Sequence, residues 1–326
     1  MPTLIVRKEL MRQTRMNCPL ILACDDGYAM PLSTTLRSIV DANRSAWPLD
    51  FHVMFSSFSE ANKKKVIDSL PRRSASIRWV PVDLRPFLGF STLEYISKIT
   101  YARFLIPNIF PDNVDRVLYL DADILVLGSL APLWETNLEE NVVGAVLDGM
   151  DLQIKCGKSG LEEVPRVQDY FNAGVLLINL DQWRKKQISE KALNYLIQHP
   201  RSPFSDQDAI NVSCDGLWKK LDSRWNTQIY YENKKISDIS PELRPRIVHF
   251  VTRAKPWDAS IPNMNASFYD AFRNRTCFAR TSEEKFFDVI RHAWAWLKNI
   301  LKQYPILRVI WKLISSRKSK LVKHPG

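Results

Sequence analysis

Early in the chain, short apolar runs alternate with segments in which apolar residues return every three or four positions. Residues 19–24 are such a run, and after the polar Asp25-Asp26-Gly27-Tyr28 come Met30, Leu36, Ile39 and Val40 at helical intervals. Residues 49–55 form the next run, residues 59–70 a helix opened by Ser59 as its cap, and residues 77–82 a third strand. Strand and helix taking turns in this way predict an α/β fold on a mostly parallel, doubly wound sheet. Farther along, residues 97–106 read as a helix whose Tyr101, Phe104 and Leu105 face the core, which leaves Arg103 near the strand ends. Residues 117–126, 142–147, 171–180 and 246–250 read as further strands, and a helix runs from Asp181 to about His199. The polar segment 150–168 reads as a loop of a length usually found over a site.

The run at 117–126 stops for two acids, Asp121 and Asp123, with Ala122 between them, and then resumes. Ligands of parallel sheets collect beyond the carboxyl ends of strands, where these acids are expected. Two carboxylates in a dry crevice need a cation, and oxygen donors suit a hard divalent ion such as Mg²⁺ or Mn²⁺. The same residues also fit a strand-end turn whose acids are solvated or cap a helix, so the spacing leaves both readings standing.

Other positions carry candidate chemistry of the same kind. Asp25 and Tyr28 suit a nucleobase or ribose, or else a helix cap beside a packing aromatic; Gly27 stands alone without a G-x-G-x-x-G, which argues against NAD or FAD. Phe171-Asn172-Ala173-Gly174 leads a buried run in which small residues admit a ligand to the backbone, and Asn172 bonds either that ligand or a backbone group. Ser205-Asp206-Gln207-Asp208 opens a helix with acids in the first turn, where the dipole favours them, and Gln207 can both donate to and accept from sugar hydroxyls. His249 is followed six residues later by Lys255 before Pro256 and Trp257, so a metal-binding nitrogen and a phosphate-binding cation can meet on one loop.

In order along the chain, Asp121-x-Asp123, Phe171-Asn172-Ala173-Gly174, Asp206-Gln207-Asp208 and His249 through Lys255-Pro256-Trp257 resemble glycosyltransferase family eight, over about residues 19–260. That family includes bacterial lipopolysaccharide galactosyl- and glucosyltransferases and glycogenin. The resemblance implies a GT-A type nucleotide-sugar transferase fold. It also implies retaining transfer of galactose or glucose from a UDP-sugar to a glycan or lipid-linked glycan, in lipopolysaccharide or other cell-surface polysaccharide synthesis. Mn²⁺ is the implied cofactor, with Mg²⁺ as the alternative. Carried over by position, Asp121, Asp123 and His249 become metal ligands, and Ala23, Asp25 and Tyr28 hold the uridine. Arg103, Ala122, Asn172, Asp206 and Gln207 contact the donor, Lys255 the diphosphate, and Asp148 reaches toward the acceptor. Catalysis then falls to Lys255, which takes up charge on the departing diphosphate, and to Asp206 and Asp148, which face the oxocarbenium-like centre or position the acceptor. Gln207 is a poor nucleophile compared with a carboxylate, which leaves a covalent intermediate and front-face attack both open and favours front-face attack assisted by the departing phosphate. Two departures stand out: Gly27 where the family often has Asn, and Thr252 where it has Gly. Rival readings are a metal-dependent nucleotidyltransferase and a non-catalytic nucleotide- or glycan-binding membrane adaptor.

Composition adds a location and a tail. The chain has 326 residues, 45% hydrophobic and 25% charged, as in an ordinary globular protein with room for an appendage. Cys18, Cys24, Cys156, Cys214 and Cys277 are scattered without a C-x-x-C pair, which reads as reduced thiols and against zinc. A formal net charge of +11 invites anionic partners, and its position selects among them. Past Glu284 the only acid is Asp288, while Phe286, Val289, Ile290, Ala293, Leu297, Ile300 and Leu301 recur at helical spacing before Arg317, Lys318, Lys320 and Lys323. This reads as a helical tail on an anionic membrane surface, or else as a core-docked helix with a solvated basic end; the first favours a lipid-linked acceptor over nucleic acid. Residues 1–17 lack an apolar core of signal-peptide length, and no run reaches the ~18 residues of a membrane span. The expected organisation is an extension at 1–18, a catalytic domain at 19–280 and the tail at 281–326, in a cytoplasmic protein peripheral to the inner face of the cytoplasmic membrane.

Overall fold

The structure, a computed structural model, describes residues 19–90, 92, 97–150, 165–230, 235–258, 261, 263–287, 289, 290, 293 and 297. The extension, most of the tail and much of the 150–168 segment lie outside these residues, as do Cys18 and Cys156. The described strands are β1 (Pro19–Ala23), β2 (Leu49–Phe55), β3 (Ala75–Pro81), β4 (Arg116–Leu120), β5 (Ile124–Val126), β6 (Val143–Leu147), β7 (Phe171–Asn179), β8 (Trp218–Lys220), β9 (Thr227–Gln228) and β10 (Ile247–His249). They form a seven-stranded sheet in the order β3-β2-β1-β4-β7-β6-β8 and a three-stranded sheet in the order β5-β10-β9. In the large sheet β7 runs against both neighbours, and every other pairing is parallel.

Both faces of the large sheet are covered, as a doubly wound fold requires. Strand residues alternate between them: Leu20, Leu22, Leu118 and Leu120 pack with the helices Ala29–Ala42 and Glu60–Asp68. Ile21, Val117 and Tyr119 pack on the other side with the helices Leu180–Lys185, Ile188–Gln198 and Asp206–Ser213. Removing one such leucine from water is worth about 2 kcal/mol, so the register of each strand is firmly set. A smaller core of Leu125, Val248, Phe250 and Tyr269 lies under the three-stranded sheet.

Three expected elements differ in detail. The helix expected from Asp181 to His199 is two helices, broken at Lys186 and Gln187, where Gln187 takes a φ of 54°. The helix expected at 97–106 is a 3₁₀ helix, Lys98–Leu105, running into the short helix Ile106–Ile109. Pro107, without an N–H and clashing with the carbonyl four residues back, prevents a continuous α-helical ladder there. The third difference matters most for the site. The run at 117–126 is not one strand: β4 ends at Leu120 and β5 begins at Ile124 in the other sheet.

A segment that leaves one sheet for another must find new partners for its backbone amides. The helix Ala29–Ala42 and its cap supply them through buried side chains. Thr35 Oγ1 lies 2.9 and 2.8 Å from the carbonyl oxygens of Ala122 and Ile124. Ser38 Oγ accepts from the Val126 N–H at 2.9 Å, and Asn43 Oδ1 from the Leu130 N–H at 2.7 Å. Thr35→Val keeps the shape but strands the two carbonyls, and the expected cost in denaturant unfolding is about 1–3 kcal/mol. A loss below measurement error would show that the hydroxyl does not brace the crossover.

Candidate active site

The crossover brings three ligand-type side chains together. The Asp121 N–H donates to the Gly174 carbonyl at 2.8 Å as the last rung between β4 and β7. The Phe250 N–H donates to the Asp123 carbonyl at 3.2 Å, next to the pairing of His249 with Ile124. As a result, ligand atoms of Asp121, Asp123 and His249 lie within 4.8 Å of one another.

Their bonding leaves one atom on each facing the centre. Asp121 Oδ1 accepts from the Tyr119 hydroxyl at 2.7 Å and from the Arg103 guanidinium, which leaves Oδ2. Asp123 Oδ2 accepts from Lys255 Nζ at 2.7 Å, while its Oδ1 is shut from solvent and accepts no hydrogen bond among the described residues. His249 Nε2 lies 3.2 Å from Asp123 Oδ1 and 3.7 Å from Asp121 Oδ2. Burial alone would raise the Asp123 carboxyl, but Lys255, joined by the His249 imidazole when that ring is protonated, outweighs it and holds the group well below the usual carboxylate range. A carboxylate oxygen shut from water, facing an imidazole nitrogen and a second carboxylate, does not fit the solvated or helix-capping reading. Two oxygens and an imidazole nitrogen do fit Mn²⁺ or Mg²⁺.

Small and charged neighbours hold this arrangement. A Cβ on Gly174 would fall on His249 Cε1 and within 2.7 Å of Asp121 Oδ2, so β7 can pass only as glycine. Arg103 is buried, lies 4.6 Å from the centre of the Tyr119 ring, and bridges Asp121 and Asp206. Burial opposes its charge, yet the two acids hold its protonation well above the ordinary range. Asp206 also accepts from Thr100 Oγ1 at 2.6 Å, and burial pushes its carboxyl up against the pull of Arg103. Asp206 is thus engaged within the protein, beneath the pocket surface that it helps to line.

Gln207 is fixed at three points: its Oε1 accepts from the Ala173 N–H at 2.9 Å, and its Nε2 lies 3.2 Å from the Tyr170 hydroxyl and 3.3 Å from Asp148 Oδ2. The neighbouring Asp208 accepts from Tyr170, from Ser202 Oγ at 2.6 Å and from the Phe204 N–H at 2.9 Å. Burial pushes its carboxyl up to about 6 in spite of these donors. At the other end of the pocket Asp25 accepts from Ser56 Oγ at 2.7 Å and Ser97 Oγ at 2.6 Å. Trp257 packs edge-on against Tyr28 at 5.9 Å and tilted against Tyr269 at 4.9 Å, which anchors the loop that presents Lys255.

Ala23, Asp25, Tyr28, Arg103, Asp121, Ala122, Asp123, Asp148, Asn172, Asp206, Gln207, His249 and Lys255 all line one cavity of about 520 Å³. Small-molecule sites occupy roughly 300–1,000 Å³. The cavity wall also contains Thr100, Tyr119 and Tyr230, which the motif reading missed. Tyr119 was within reach of pattern reasoning, because it shares a strand face with the Asp two residues on. Asn226, behind His249, carries no local signal at all.

A mixed sheet of this order, with an Asp-x-Asp turn where the chain leaves its fourth strand and a ligand-sized cavity above it, defines a glycosyltransferase of the GT-A type. The chain belongs to glycosyl transferase family 8, which matches residues 19–260. The galactosyltransferase LgtC, solved with donor and acceptor sugar analogues, superposes with a TM-score of 0.65 at 30% identity, over 83% of this chain and 99% of that one. A lipopolysaccharide 1,3-galactosyltransferase of Salmonella typhimurium is 32% identical over 242 residues, 72% of this chain and 71% of its own. General stress protein A of Bacillus subtilis is 30% identical over 255 residues, 74% of this chain and 87% of its own.

Gly174→Ala is expected to abolish Mn²⁺ binding in a calorimetric titration, because a methyl group displaces the imidazole; unchanged binding would mean that His249 is not a ligand. A second expectation concerns pH. The Asp208 carboxyl sits at about 6 when folded against an ordinary 3.8, so the folded chain holds the extra proton between these values. Its contribution to stability therefore falls as pH rises through that window, by up to about 3 kcal/mol. Denaturant midpoints of Asp208→Asn should fall less than wild type between about pH 4 and 6.5; parallel curves would contradict the shift.

Proposed function

We propose that this glycosyltransferase moves a hexose, galactose or glucose, from UDP to a glycan or lipid-linked glycan with retention of configuration, in lipopolysaccharide or other cell-surface polysaccharide synthesis. The observation that carries the reading is the convergence of Asp121 Oδ2, Asp123 Oδ1 and His249 Nε2 in the cavity beside Lys255, within a chain of this family. The names of the Salmonella relative and of LgtC favour galactose. Mn²⁺, with Mg²⁺ as the alternative, would be held by Asp121, Asp123 and His249, and when bound would neutralise charge on the departing diphosphate. Lys255 adds a second positive charge at the same end of the pocket. Asp25 and Tyr28 hold the uridine, Asn172 and Gln207 orient the hexose, and Asp148 positions the acceptor hydroxyl. In front-face attack the acceptor oxygen bonds to the anomeric carbon as the phosphate leaves, and the acceptor's proton passes to the leaving phosphate oxygen. The non-catalytic adaptor is disfavoured by three ligand atoms aimed at one point, which a passive binding surface does not need.

Asp123→Ala should abolish Mn²⁺-dependent release of UDP from a UDP-hexose while circular dichroism and the melting curve remain those of a folded protein. Undiminished turnover would show the metal assignment to be wrong. Release of pyrophosphate in place of UDP would favour the nucleotidyltransferase.

The tail at 281–326 is proposed to rest on an anionic membrane, which would place the enzyme on the inner face of the cytoplasmic membrane near a lipid-linked acceptor. Supporting this, Phe286, Phe287 and Val289 are exposed at its start. No helix among the described residues is long and apolar enough to cross a membrane. The full chain should float with anionic liposomes and the chain ending at about residue 280 should not; equal binding would remove the tail from the account.

A further inference from the structure

Asn226 belongs to no motif, yet it is 1% exposed and lies between His249 and Asn172. The direction of every hydrogen bond in this group follows from one backbone amide. The Gly174 N–H can only donate, and it donates to Asn172 Oδ1 at 3.0 Å. Asn172 must therefore turn its Nδ2 the other way, where it donates to Asp148 Oδ2 at 3.0 Å. The Asn226 amide lies 2.8 Å from the same Asn172 Oδ1, so it meets that oxygen with its Nδ2. Its own Oδ1 is then the atom 3.0 Å from His249 Nδ1. An amide oxygen only accepts, so the imidazole carries its proton on Nδ1. A neutral imidazole in that form has a bare lone pair on Nε2, 3.2 Å from Asp123 Oδ1 and 3.7 Å from Asp121 Oδ2, a set of three acceptors that a cation between them would satisfy. Reversing either amide would set donor against donor at Gly174 or acceptor against acceptor at Asn172.

We infer that Asn226 is a positioning residue: with Asn172 it transmits the polarity of the Gly174 N–H to the imidazole and fixes His249 as the Nδ1–H tautomer, ready to give Nε2 to a divalent cation. The opposite end of the relay holds Asp148, so the cation side and the acceptor side of the pocket are aligned by one pair of amides. The functional consequence and the bare Nε2 rest on the proposed metal site, whereas the acceptor that Asn226 turns toward Nδ1 is a property of the chain alone.

The test is nitrogen-detected NMR of ¹⁵N-histidine-labelled full chain in EDTA, at a pH where histidine is neutral, with the His249 signals identified by their loss in His249→Gln. The wild type should show a protonated Nδ1. Asn226→Asp keeps an acceptor toward the ring and should keep that form, whereas Asn226→Leu should admit the Nε2–H form. Where Asn226→Leu fails to fold, Asn226→Ala serves the same comparison. In calorimetric titration with Mn²⁺ alone, the variant lacking the acceptor should bind about 10–100-fold more weakly. An Nε2–H ring in the wild type, or an unchanged Nδ1–H ring in the leucine or alanine variant, would overturn the inference. Mn²⁺ that neither perturbs the wild-type signals nor gives heat would instead remove the metal reading, leaving the tautomer to stand or fall on the metal-free spectra.

Discussion

Between Leu120 and Ile124 the backbone leaves one sheet for another, and its polar groups must be re-paired within those few residues. Thr35 bonds the turn's carbonyls from one side, while Gly174 and Phe250 hold it from the strands on either flank. With the main chain so constrained, Asp121 and Asp123 have little freedom, and β10 delivers His249 to the same point through its pairing with β5. The absence of a side chain at Gly174 is what lets these parts meet.

Charge balance explains how the pocket serves its substrate class. Asp25, Asp121, Asp123, Asp148 and Asp206 line it against Arg103, Arg253 and Lys255, and Arg103 is committed to two of the acids. Lys255 is paired with a third. A diphosphate entering such a pocket would meet more acids than bases, and a divalent ion held by Asp121, Asp123 and His249 would supply positive charge for it. The buried Arg103 bridges Asp121 and Asp206 within this balance, and it also lines the cavity.

The strands were legible because their apolar runs are short and bounded, and the helices because their apolar residues recur on one face. The break at Asp121–Asp123 was not, since a local pattern of apolar residues is the same whether a run stays in one sheet or changes sheets. The reversal of β7 was hidden for the same reason: a strand buried on both faces reads alike in either direction. The site's ligand-type residues were found through the joint match of several motifs to a family, which no single motif would have allowed. Asn226 and Tyr170 could not be found this way, because each works through contacts with residues distant in the chain. In the 97–106 segment the apolar spacing marks a helix but does not tell a 3₁₀ from an α-helical ladder, and Pro107 marks where the one gives way to the short helix that follows.

Anomalous diffraction at the manganese edge, from crystals grown with Mn²⁺ and UDP, would locate a divalent ion held by Asp121, Asp123 and His249. A single strong peak is expected, bounded by Asp121 Oδ2, Asp123 Oδ1 and His249 Nε2. A map without a peak there, with UDP clearly bound, would contradict the metal assignment.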